Sequence, residues 1–366
     1  MKHHYFLGLA GGRKVSAARQ LFTFGRKKDL ALLERVLSTR YGGKTFLCKN
    51  GRSGLAIALK SCLKKGDGVI VNGFTCYAVV EAIKAAGCVP VYADISREDL
   101  NYTIDTLEKI DAKNIKGIIV QNTLGNPVDI SMVERFAKEH DLVIIEDLAH
   151  CAGIRYKDKR EAGTVGAVTV LSFGKDKSID TTSGGAVIFR DVEAPSRSPS
   201  KRPHLVDSLR AKWYPTLAGW CRGLARIHLC GALMRLLVKV HFVEKSADNR
   251  LDTSSRCTKW QAKLALEQVM DLRKNGEGTI RDFYLVNERE KCLKELKKAG
   301  YHFDGFWYEK PVSPERYYKK VHFPEDECPV ATEVARQIIN FPKYYRKSEL
   351  EKAQEIIRPY LVKEGE

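Results

Sequence analysis

The chain lacks any uninterrupted apolar run of the roughly 18 to 20 residues that a membrane-spanning helix needs. The N-terminal stretch MKHHYFLGLAGGRKV holds only a short, interrupted apolar patch, which does not fit a secretory signal peptide. The sequence also shows no internal repeat and no low-complexity tract. These absences argue against integral membrane and repeat proteins, and we expect a globular protein in the cytoplasm.

The cysteines are not spaced as in redox or metal-binding motifs. The ten cysteines form no C-x-x-C pair and no Cys/His cluster with the spacing of a zinc site. Such scatter is typical of buried or free thiols in a reducing compartment rather than of a disulfide framework. The sequence therefore predicts neither a metal centre nor a disulfide scaffold.

Acidic residues are in deficit. The chain has 45 Asp and Glu residues against 62 Lys and Arg residues, which gives a formal net charge of +17. A charge of this sign favours an anionic partner, whether a phosphorylated ligand, a membrane surface or a nucleic acid. No recognisable nucleic-acid-binding module accompanies the charge, so we expect no nucleic-acid partner. Charge alone does not choose between the other two.

The length of 366 residues allows one large domain with a smaller companion. From about 46 to 190, short runs rich in β-branched residues alternate with amphipathic stretches such as AVVEAIKAAG and DISMVERFAKEH. This alternation is typical of an α/β domain with a mostly parallel sheet that is covered on both faces. The predicted strands are 68–74, 89–95, 116–123, 141–147, 167–173 and 184–189.

The pattern changes after residue 190. A Pro/Ser-rich basic loop, DVEAPSRSPSKRPH, leads into a basic helical segment that we expect to break near Pro215. The stretch TKWQAKLALEQVMDL predicts a long helix at 258–272. The predicted domains are an N-terminal arm and helix (1–45), a large domain (46–257) with a helical insertion at about 192–250, and a linking helix with a small C-terminal domain (258–366).

Two predicted strands carry reactive side chains at their carboxyl ends, the edge where ligands sit in open parallel sheets. VIIEDLAH places Glu146, Asp147 and His150 after one strand, and LSFGKDKSID places Lys175 and Lys177 after the other. An acid and an amine at one sheet edge would form a site. For each residue alone, a capped turn or a solvated loop is the favoured interpretation, and the pattern does not separate the two lysines.

A third feature is the start of the helix in KNGRSGLAIALKSCLKKGD, where Gly51, Arg52 and Ser53 come first. Free N–H groups at a helix N-terminus, a hydroxyl and an arginine suit a phosphate, although a small residue there is also a common helix cap. A phosphate anchor, a strand-end carboxylate and a loop lysine are together what pyridoxal phosphate (PLP) requires. The combination therefore predicts PLP as the cofactor.

The order and spacing of longer motifs resemble the DegT/DnrJ/StrS family of sugar aminotransferases. The matching stretches are NGRSGLAIAL, KKGDGVIVNGFTCYAVVEAIKAAGCVPVYADI, GNPVDISMVERFAKEHDLVIIEDLAHCAG, GAVTVLSFGKDKSIDTTSGGAVIF and CPVATEVARQIINFP. The resemblance implies the α/β fold of fold-type I PLP-dependent transferases. In that fold a large domain with a mostly parallel, seven-stranded sheet is joined to a smaller α+β C-terminal domain.

The resemblance also implies roles for individual residues. Lys177 follows the family's serine by five positions and corresponds to the lysine that forms the Schiff base. Ser172 corresponds to a phosphate ligand, Asp147 to the carboxylate that faces the pyridine nitrogen, and His150 to the Gln or His that contacts the cofactor ring. Lys175 then becomes a loop charge.

Three positions depart from the family pattern. The phosphate-binding turn, usually Gly-Thr, is Gly51-Arg52 here, with Ser53 beside it. The aromatic residue that often follows Thr75 is Cys76, and Tyr77 could supply the stacking face instead or belong to the core.

The third departure is Ser254, which stands where the family has an Asn that reaches the cofactor phosphate of the partner subunit. Arg256 and Gln261 keep the R-x-x-x-x-Q motif that follows it. The resemblance therefore implies a homodimer with its active site at the interface.

As implied by the resemblance, the protein converts a keto sugar, typically carried on a nucleotide, to an amino sugar. An amino acid such as glutamate donates the amine through a Lys177 Schiff base and a pyridoxamine phosphate intermediate. Lys177 argues against the family's lysine-free dehydratases. The alternatives are a non-catalytic, PLP-binding or sugar-sensing regulator, and a membrane- or polyanion-binding protein that uses the same fold as a scaffold.

The basic segment 205–243 is larger than the family core needs. We favour a helical insertion that packs on the domain or its dimer mate. The alternative is a helix that touches an anionic membrane surface. The residues that would make this contact are Trp213, Trp220, Leu224 and Leu236 with Arg222, Arg226, Arg235 and Lys239.

Overall fold

A seven-stranded sheet forms the centre of the computed structural model, which describes residues 4–7, 16–175, 177–224, 236–237, 239, 250–275, 281–304, 307–342 and 347–362. The strand order is β2-β9-β8-β7-β6-β3-β5. Six strands run in the same direction, and β9 alone of the seven runs antiparallel, between β8 and β2. The strands are β2 (Lys44–Cys48), β3 (Gly68–Asn72), β5 (Val89–Ala93), β6 (Ile115–Val120), β7 (Val143–Asp147), β8 (Val168–Ser172) and β9 (Gly185–Phe189).

All six predicted strands lie in this sheet, which confirms the mostly parallel α/β prediction. The sequence reading missed β2, an edge strand that pairs only with β9. Because β2 begins at Lys44, the sheet starts ahead of the predicted large-domain boundary at residue 46. The domain boundaries themselves stay a prediction.

Helices cover both faces of the sheet. Adjacent residues of a strand enter opposite cores, as Ile70 and Val71 of β3 do. One core packs α2 (Lys27–Tyr41), α6 (Ile130–Glu139) and α8 (Lys259–Asn275); the other packs α3 (Gly51–Cys62), α4 (Tyr77–Ala85) and α11 (Pro329–Gln337). The remaining helices of this part are α1 (Ala17–Phe22) and α5 (Ile104–Glu108). The helix predicted at 258–272 is therefore present as α8.

The basic insertion forms α7 (Leu205–Leu224), and this helix continues through Pro215. The predicted break at Pro215 is therefore wrong. A proline removes the N–H that would bond the carbonyl four residues earlier, here that of Ala211. That oxygen instead accepts hydrogen bonds from Gln20 Nε2 and Thr182 Oγ1, each at 2.8 Å, so the helix loses no buried acceptor.

The C-terminal part forms a separate small core. Two strands, β10 (Arg281–Leu285) and β13 (Ile338–Pro342), pair antiparallel, and α9 (Arg289–Lys298) and α12 (Lys347–Ile357) pack beside them. Short pairs join this part to the rest: β12 (Val312–Ser313) with β4 (Thr75–Cys76), and β11 (Tyr301–Asp304) with β1 (His4–Leu7). The short helix α10 spans Glu315–Tyr318. Together these elements make the α+β unit that the sequence predicts.

Candidate active site

A cavity of about 130 Å³ lies at the carboxyl ends of the parallel strands. It is the edge at which the sequence places its reactive residues. Seven of the ten predicted site residues line this cavity: Gly51, Arg52, Cys76, Asp147, His150, Ser172 and Lys177. Three separate stretches of the chain, at 51–52, 147–150 and 172–177, thus converge at one place.

The two neighbouring acids of β7 have different tasks. Glu146 is fully buried, and its carboxylate accepts hydrogen bonds from the N–H groups of Gly163, Val165 and Gly166 and from the Tyr156 hydroxyl, at 2.6 to 2.8 Å. Because successive side chains of a strand point to opposite faces, Asp147 faces the cavity instead. Glu146 therefore holds a loop together, and Asp147 is the carboxylate available for chemistry.

Asp147 is a buried carboxylate, and its neighbours offset only part of the cost of burying its charge. Burial raises its pKa above the ordinary range, while the Ala149 N–H and the charge of Lys177 act in the opposite direction. The Ala149 N–H donates to Asp147 Oδ1 at 2.9 Å. A cationic group placed against this carboxylate would regain Coulomb energy in a low-dielectric setting, so the cavity favours a protonated ring nitrogen at this point.

His150 is held in one tautomer. The Leu124 N–H donates to His150 Nδ1 at 3.2 Å, so in the neutral ring the hydrogen lies on Nε2. Burial, with the nearby charges of Lys177 and Arg281, keeps the pKa of His150 well below its usual value. Leu124 has φ of 54°, an unfavourable backbone conformation for leucine that aims its N–H at the imidazole. His150 is therefore a neutral ring with a defined donor.

The start of α3 meets the end of β8 at the cavity. Asn50 caps the helix by accepting the Ser53 N–H at 2.8 Å, so the first N–H groups of α3 point to the cavity end. A Cβ on Gly51 would lie 2.7 Å from Ser172 Cβ, so only glycine allows this approach. Arg52 is buried and forms an ion pair with Glu81 of α4. We call the helix N-terminus, the Arg52 guanidinium and the Ser172 hydroxyl the cradle, because these groups have the chemistry that suits an anion.

The structure separates the two lysines. Lys175 Nζ lies 3.7 Å from the centroid of the Tyr214 ring, on α7. Lys177 Nζ lies 4.5 Å from the centroid of the Trp307 ring, and its charge acts on both Asp147 and His150. Both lysines line the cavity, but Lys177 is the one whose amine is electrostatically coupled to the strand-end carboxylate.

Comparison with known proteins identifies the family of the chain. Residues 14–359 match the model of the DegT/DnrJ/EryC1/StrS aminotransferase family. The chain belongs to this family. The predicted family, the aminotransferase class and the PLP cofactor are therefore confirmed, and so is the fold class, that of the fold-type I sugar aminotransferases.

Two relatives and one solved structure show the degree of similarity. The chain is 26% identical over 306 residues to a pleiotropic regulatory protein of Geobacillus stearothermophilus, which covers 81% of this chain and 79% of that one. It is 27% identical over 307 residues to a GDP-perosamine synthase of Caulobacter vibrioides, with 81% and 80% covered. A protein described as a sugar aminotransferase of Streptococcus pneumoniae, in its PLP form, superposes with a TM-score of 0.67 at 18% identity over 99% of this chain and all of that one.

The donor set of this family member fits PLP. Asp147 would face the pyridine nitrogen, Lys177 would hold the aldehyde carbon, and the cradle of Gly51, Arg52 and Ser172 would hold the phosphate. The absence of a Cβ at Gly51 leaves the cradle open, since an alanine there would collide with Ser172. The chemistry of these groups matches each polar end of the cofactor.

Ser53 and Tyr77 do not line the cavity. The Ser53 side chain is fully buried, and its hydroxyl accepts the Asp252 N–H at 3.0 Å. The Tyr77 ring stacks on Tyr317, with centroids 4.3 Å apart and planes at 8°. Their contact with the cofactor stays a prediction, and for Tyr77 the packing on Tyr317 fits the alternative of a core residue. Both side chains are turned toward neighbouring elements, and Cys76 is the residue of that turn which lines the cavity.

Ser254 lies outside the cavity of its own chain. Its hydroxyl and its N–H bond the same oxygen of Asp252, at 2.7 and 2.9 Å, and the side chain is exposed. Gln261 of the accompanying motif caps α8 by accepting the Thr258 N–H at 2.8 Å, and it donates to Ser183 O at 3.0 Å. Since Ser183 lines the cavity, the motif supports the lysine loop within one chain.

The sequence analysis missed several residues at or beside the cavity, among them Gln121, Tyr308 and Trp307. Gln121, directly after β6, lines the cavity and bonds Phe74 O at 3.0 Å, and the Thr75 hydroxyl donates to it. Tyr308 lines the cavity from the C-terminal part, and Trp307 stacks on His150 at 4.9 Å. The strand-end rule could have found Gln121. Nothing in the local sequence marks the two aromatics.

Gly51→Ala tests the cradle. Because the new methyl group would meet Ser172, we expect a loss of about 1 to 3 kcal/mol in the free energy of unfolding and weaker PLP binding, measured by thermal unfolding and by absorbance titration. The matched control is Gly219→Ala in α7, where an added Cβ meets nothing within 4 Å. That variant should keep wild-type affinity for PLP. Wild-type affinity in Gly51→Ala would contradict the cradle.

Proposed function

We propose that the protein transfers an amino group from an amino-acid donor such as glutamate to a keto sugar carried on a nucleotide. The observation that carries this proposal is the convergence of Lys177, Asp147 and the anion cradle in one cavity of a DegT/DnrJ/EryC1/StrS chain. A relative with similar coverage bears the name GDP-perosamine synthase, which supports a nucleotide-linked sugar. The basic surface, with its net charge of +17, suits a substrate that carries a diphosphate.

The residues of the cavity have distinct roles in this reaction. PLP, when bound, supplies an electron sink for the carbanion formed at the substrate carbon. Asp147 keeps the ring nitrogen protonated, and Lys177 holds the cofactor and then moves a proton at the substrate carbon. His150, neutral and fixed through Nδ1, packs against the ring site without adding a second positive charge.

The assembly and location that we propose rest on the resemblance. We infer a homodimer in which Ser254 approaches the cavity of the partner subunit and takes the place of the usual Asn. Its exposed position supports this role, and the hydroxyl would exchange its hydrogen bond to Asp252 for one to the partner's phosphate. The cytoplasmic location stays a prediction. Within the described part of the chain, no helix has the length and apolarity to span a bilayer.

A regulator that senses the cofactor or a sugar is the second candidate. Its support is one relative that bears the name pleiotropic regulatory protein. Against it stands the complete set of Lys177, Asp147 and Ser172 at the cavity, because a sensor has no need of a lysine that transfers protons.

The test of the proposed function takes the two substrates separately. The purified protein with PLP is first given glutamate, and release of 2-oxoglutarate is measured. A panel of nucleotide-linked keto sugars is then added, and aminated product is detected by mass spectrometry. We expect both steps, and neither in Lys177→Ala. Oxoacid release without any aminated sugar would overturn the substrate class, and no release from any amino-acid donor would favour the regulator.

A further inference from the structure

Large apolar side chains that face solvent are concentrated on α1 and α7. Of the thirteen exposed large hydrophobic residues in the described part of the chain, seven lie on these helices or directly after α1. Phe22 and Phe24 are each 76% exposed, and on α7 the most exposed are Leu205 at 71% and Trp220 at 64%. A concentration of this kind marks a contact surface rather than the scattered exposure usual in soluble proteins.

The exposed residues of α7 form a stripe along one side of the helix. Leu205, Leu209, Trp213 and Trp220 are spaced by four, four and seven residues, which places them on one face. Tyr214 and Ala218, on the opposite face, are almost fully buried. We call Leu205, Leu209, Trp213 and Trp220, together with Phe22 and Phe24, the α7 face.

The two helices form one surface because side chains tie them together. Gln20 of α1 donates to Ala211 O at 2.8 Å, and Lys212 donates to Thr23 O at 3.3 Å. The Lys212 ammonium also lies 4.6 Å from the centroid of the Phe24 ring. Phe24 therefore lies on the same side of the molecule as the exposed stripe of α7.

The chain segments that carry the α7 face are basic. Residues 16–28 and 201–224 contain nine Lys and Arg residues and one acidic residue, Asp207, which pairs with Lys49 at 2.8 Å. On the helical wheel Arg210 and Lys212 flank the apolar stripe on its two sides. Arg19 pairs at the surface with Glu267 of α8. The nine basic residues are Arg19, Arg26, Lys27, Lys28, Lys201, Arg202, Arg210, Lys212 and Arg222.

From this arrangement we propose that the α7 face binds the surface of a membrane that contains anionic lipids, with α7 lying in the plane of the interface. Trp, Phe and Leu side chains enter the boundary between headgroups and acyl chains, while the flanking cations meet lipid phosphates. A second copy of the chain fits less well, because a symmetric contact would bring two equally basic surfaces together. A nucleic acid would not account for a stripe of aliphatic residues.

The sequence analysis named eight residues of 205–243 for a membrane contact, and the structure describes the exposure of only some of them. Leu236 and Lys239 are exposed, as a membrane contact requires. Arg222 and Leu224 lie in α7, but their side chains are outside the described part of the structure. Arg226 and Arg235 lie outside the described residues altogether. Phe22 and Phe24, which the sequence analysis did not connect with this segment, join it only through the packing of α1 on α7.

Helix α7 contacts the loop that carries Lys177. Thr182, in the loop after Lys177, donates to Ala211 O, and Lys175 of the same loop lies over Tyr214. The buried side of α7 thus holds the lysine loop while its exposed side faces outward. Membrane contact through α7 would place the cavity at a fixed height above the lipid surface.

Vesicle flotation of the full-length PLP-loaded protein tests the proposal. We expect binding to vesicles of phosphatidylcholine with phosphatidylglycerol, and weak binding to phosphatidylcholine alone. Trp213→Ser with Trp220→Ser should lower partitioning at least tenfold. Arg210→Gln with Lys212→Gln should lower it roughly fivefold per cation at low salt. The control is Val89→Ser with Ile104→Ser, which removes exposed apolar side chains on other elements and should change nothing.

Further measurements distinguish the loss of a membrane contact from misfolding and from the loss of a dimer contact. Circular dichroism and the release of oxoacid from the amino donor in solution should be unchanged in the tryptophan variant, since its two side chains face away from the cavity. If that variant binds anionic vesicles as the wild type does, the proposal is wrong. If it instead changes the molar mass from dimer to monomer in light scattering and vesicle binding was never present, the α7 face is an interface between copies.

Discussion

Lys177→Ala should abolish covalent capture of the cofactor and lower the rate of amino transfer by about 10⁴-fold or more, because one amine both holds PLP and moves the proton. The wild-type protein treated with PLP and borohydride should carry the cofactor permanently on Lys177, located by fragmentation of the peptide in a mass spectrometer. We expect this result because of the position of Lys177. Lys177 Nζ lies over Trp307, and its charge acts on Asp147 and His150, the two groups that flank the ring site.

The matched control is Lys175→Ala, two residues away in the same loop. Lys175 also lines the cavity, but its ammonium lies over Tyr214 of α7. Its removal should cost about 0.5 to 2 kcal/mol of stability from the lost cation–π contact and should leave the borohydride-fixed cofactor on Lys177. Cofactor found on Lys175 in the wild type, or retained covalently in Lys177→Ala, would reverse the roles that we give to the two lysines.

Asp147→Asn should lower kcat by about 10²- to 10³-fold while the protein still binds PLP. An amide cannot keep the ring nitrogen protonated, so the electron sink is weakened, whereas the phosphate cradle and Lys177 are untouched. Glu146→Gln is the contrasting variant. It removes charge from a carboxylate that accepts four hydrogen bonds, so its main effect should be on thermal stability. Near-normal turnover in Asp147→Asn would remove the role we give to Asp147.

The same substitution should stabilise the cofactor-free protein. Burial raises the pKa of Asp147 in the folded state, so its contribution is most favourable below the pKa of the unfolded chain and is lost as pH rises through the folded value. At neutral pH the wild type therefore carries a desolvated charge that the neutral amide of the variant lacks. We expect Asp147→Asn to melt higher near pH 7 and its advantage to shrink as the pH falls. An advantage independent of pH would contradict this account.

Much of the fold and of the site could be predicted because the signals are local. The β-branched runs of β3 and β5 to β9 and the amphipathic patterns of α4, α6 and α8 are strong, and all of these elements are present. The strand-end rule placed Asp147 and Lys177 at one edge, and the family resemblance chose Lys177 over Lys175. Edge strand β2 was missed because its sequence, KTFLC, contains a single β-branched residue and so lacks the run that marks the other strands.

The remaining features depend on partners that are distant in sequence. Ser53 belongs to the predicted phosphate turn, but its hydroxyl is taken by the N–H of Asp252, and Tyr77 is drawn to Tyr317. Pro215 does not break α7, because Gln20 and Thr182 supply the missing donors to Ala211. Residue types and spacing therefore determine which elements form and which chemistry they can offer. The direction of each side chain is set only when separate elements pack, because burial and hydrogen bonding are satisfied through space and not along the chain.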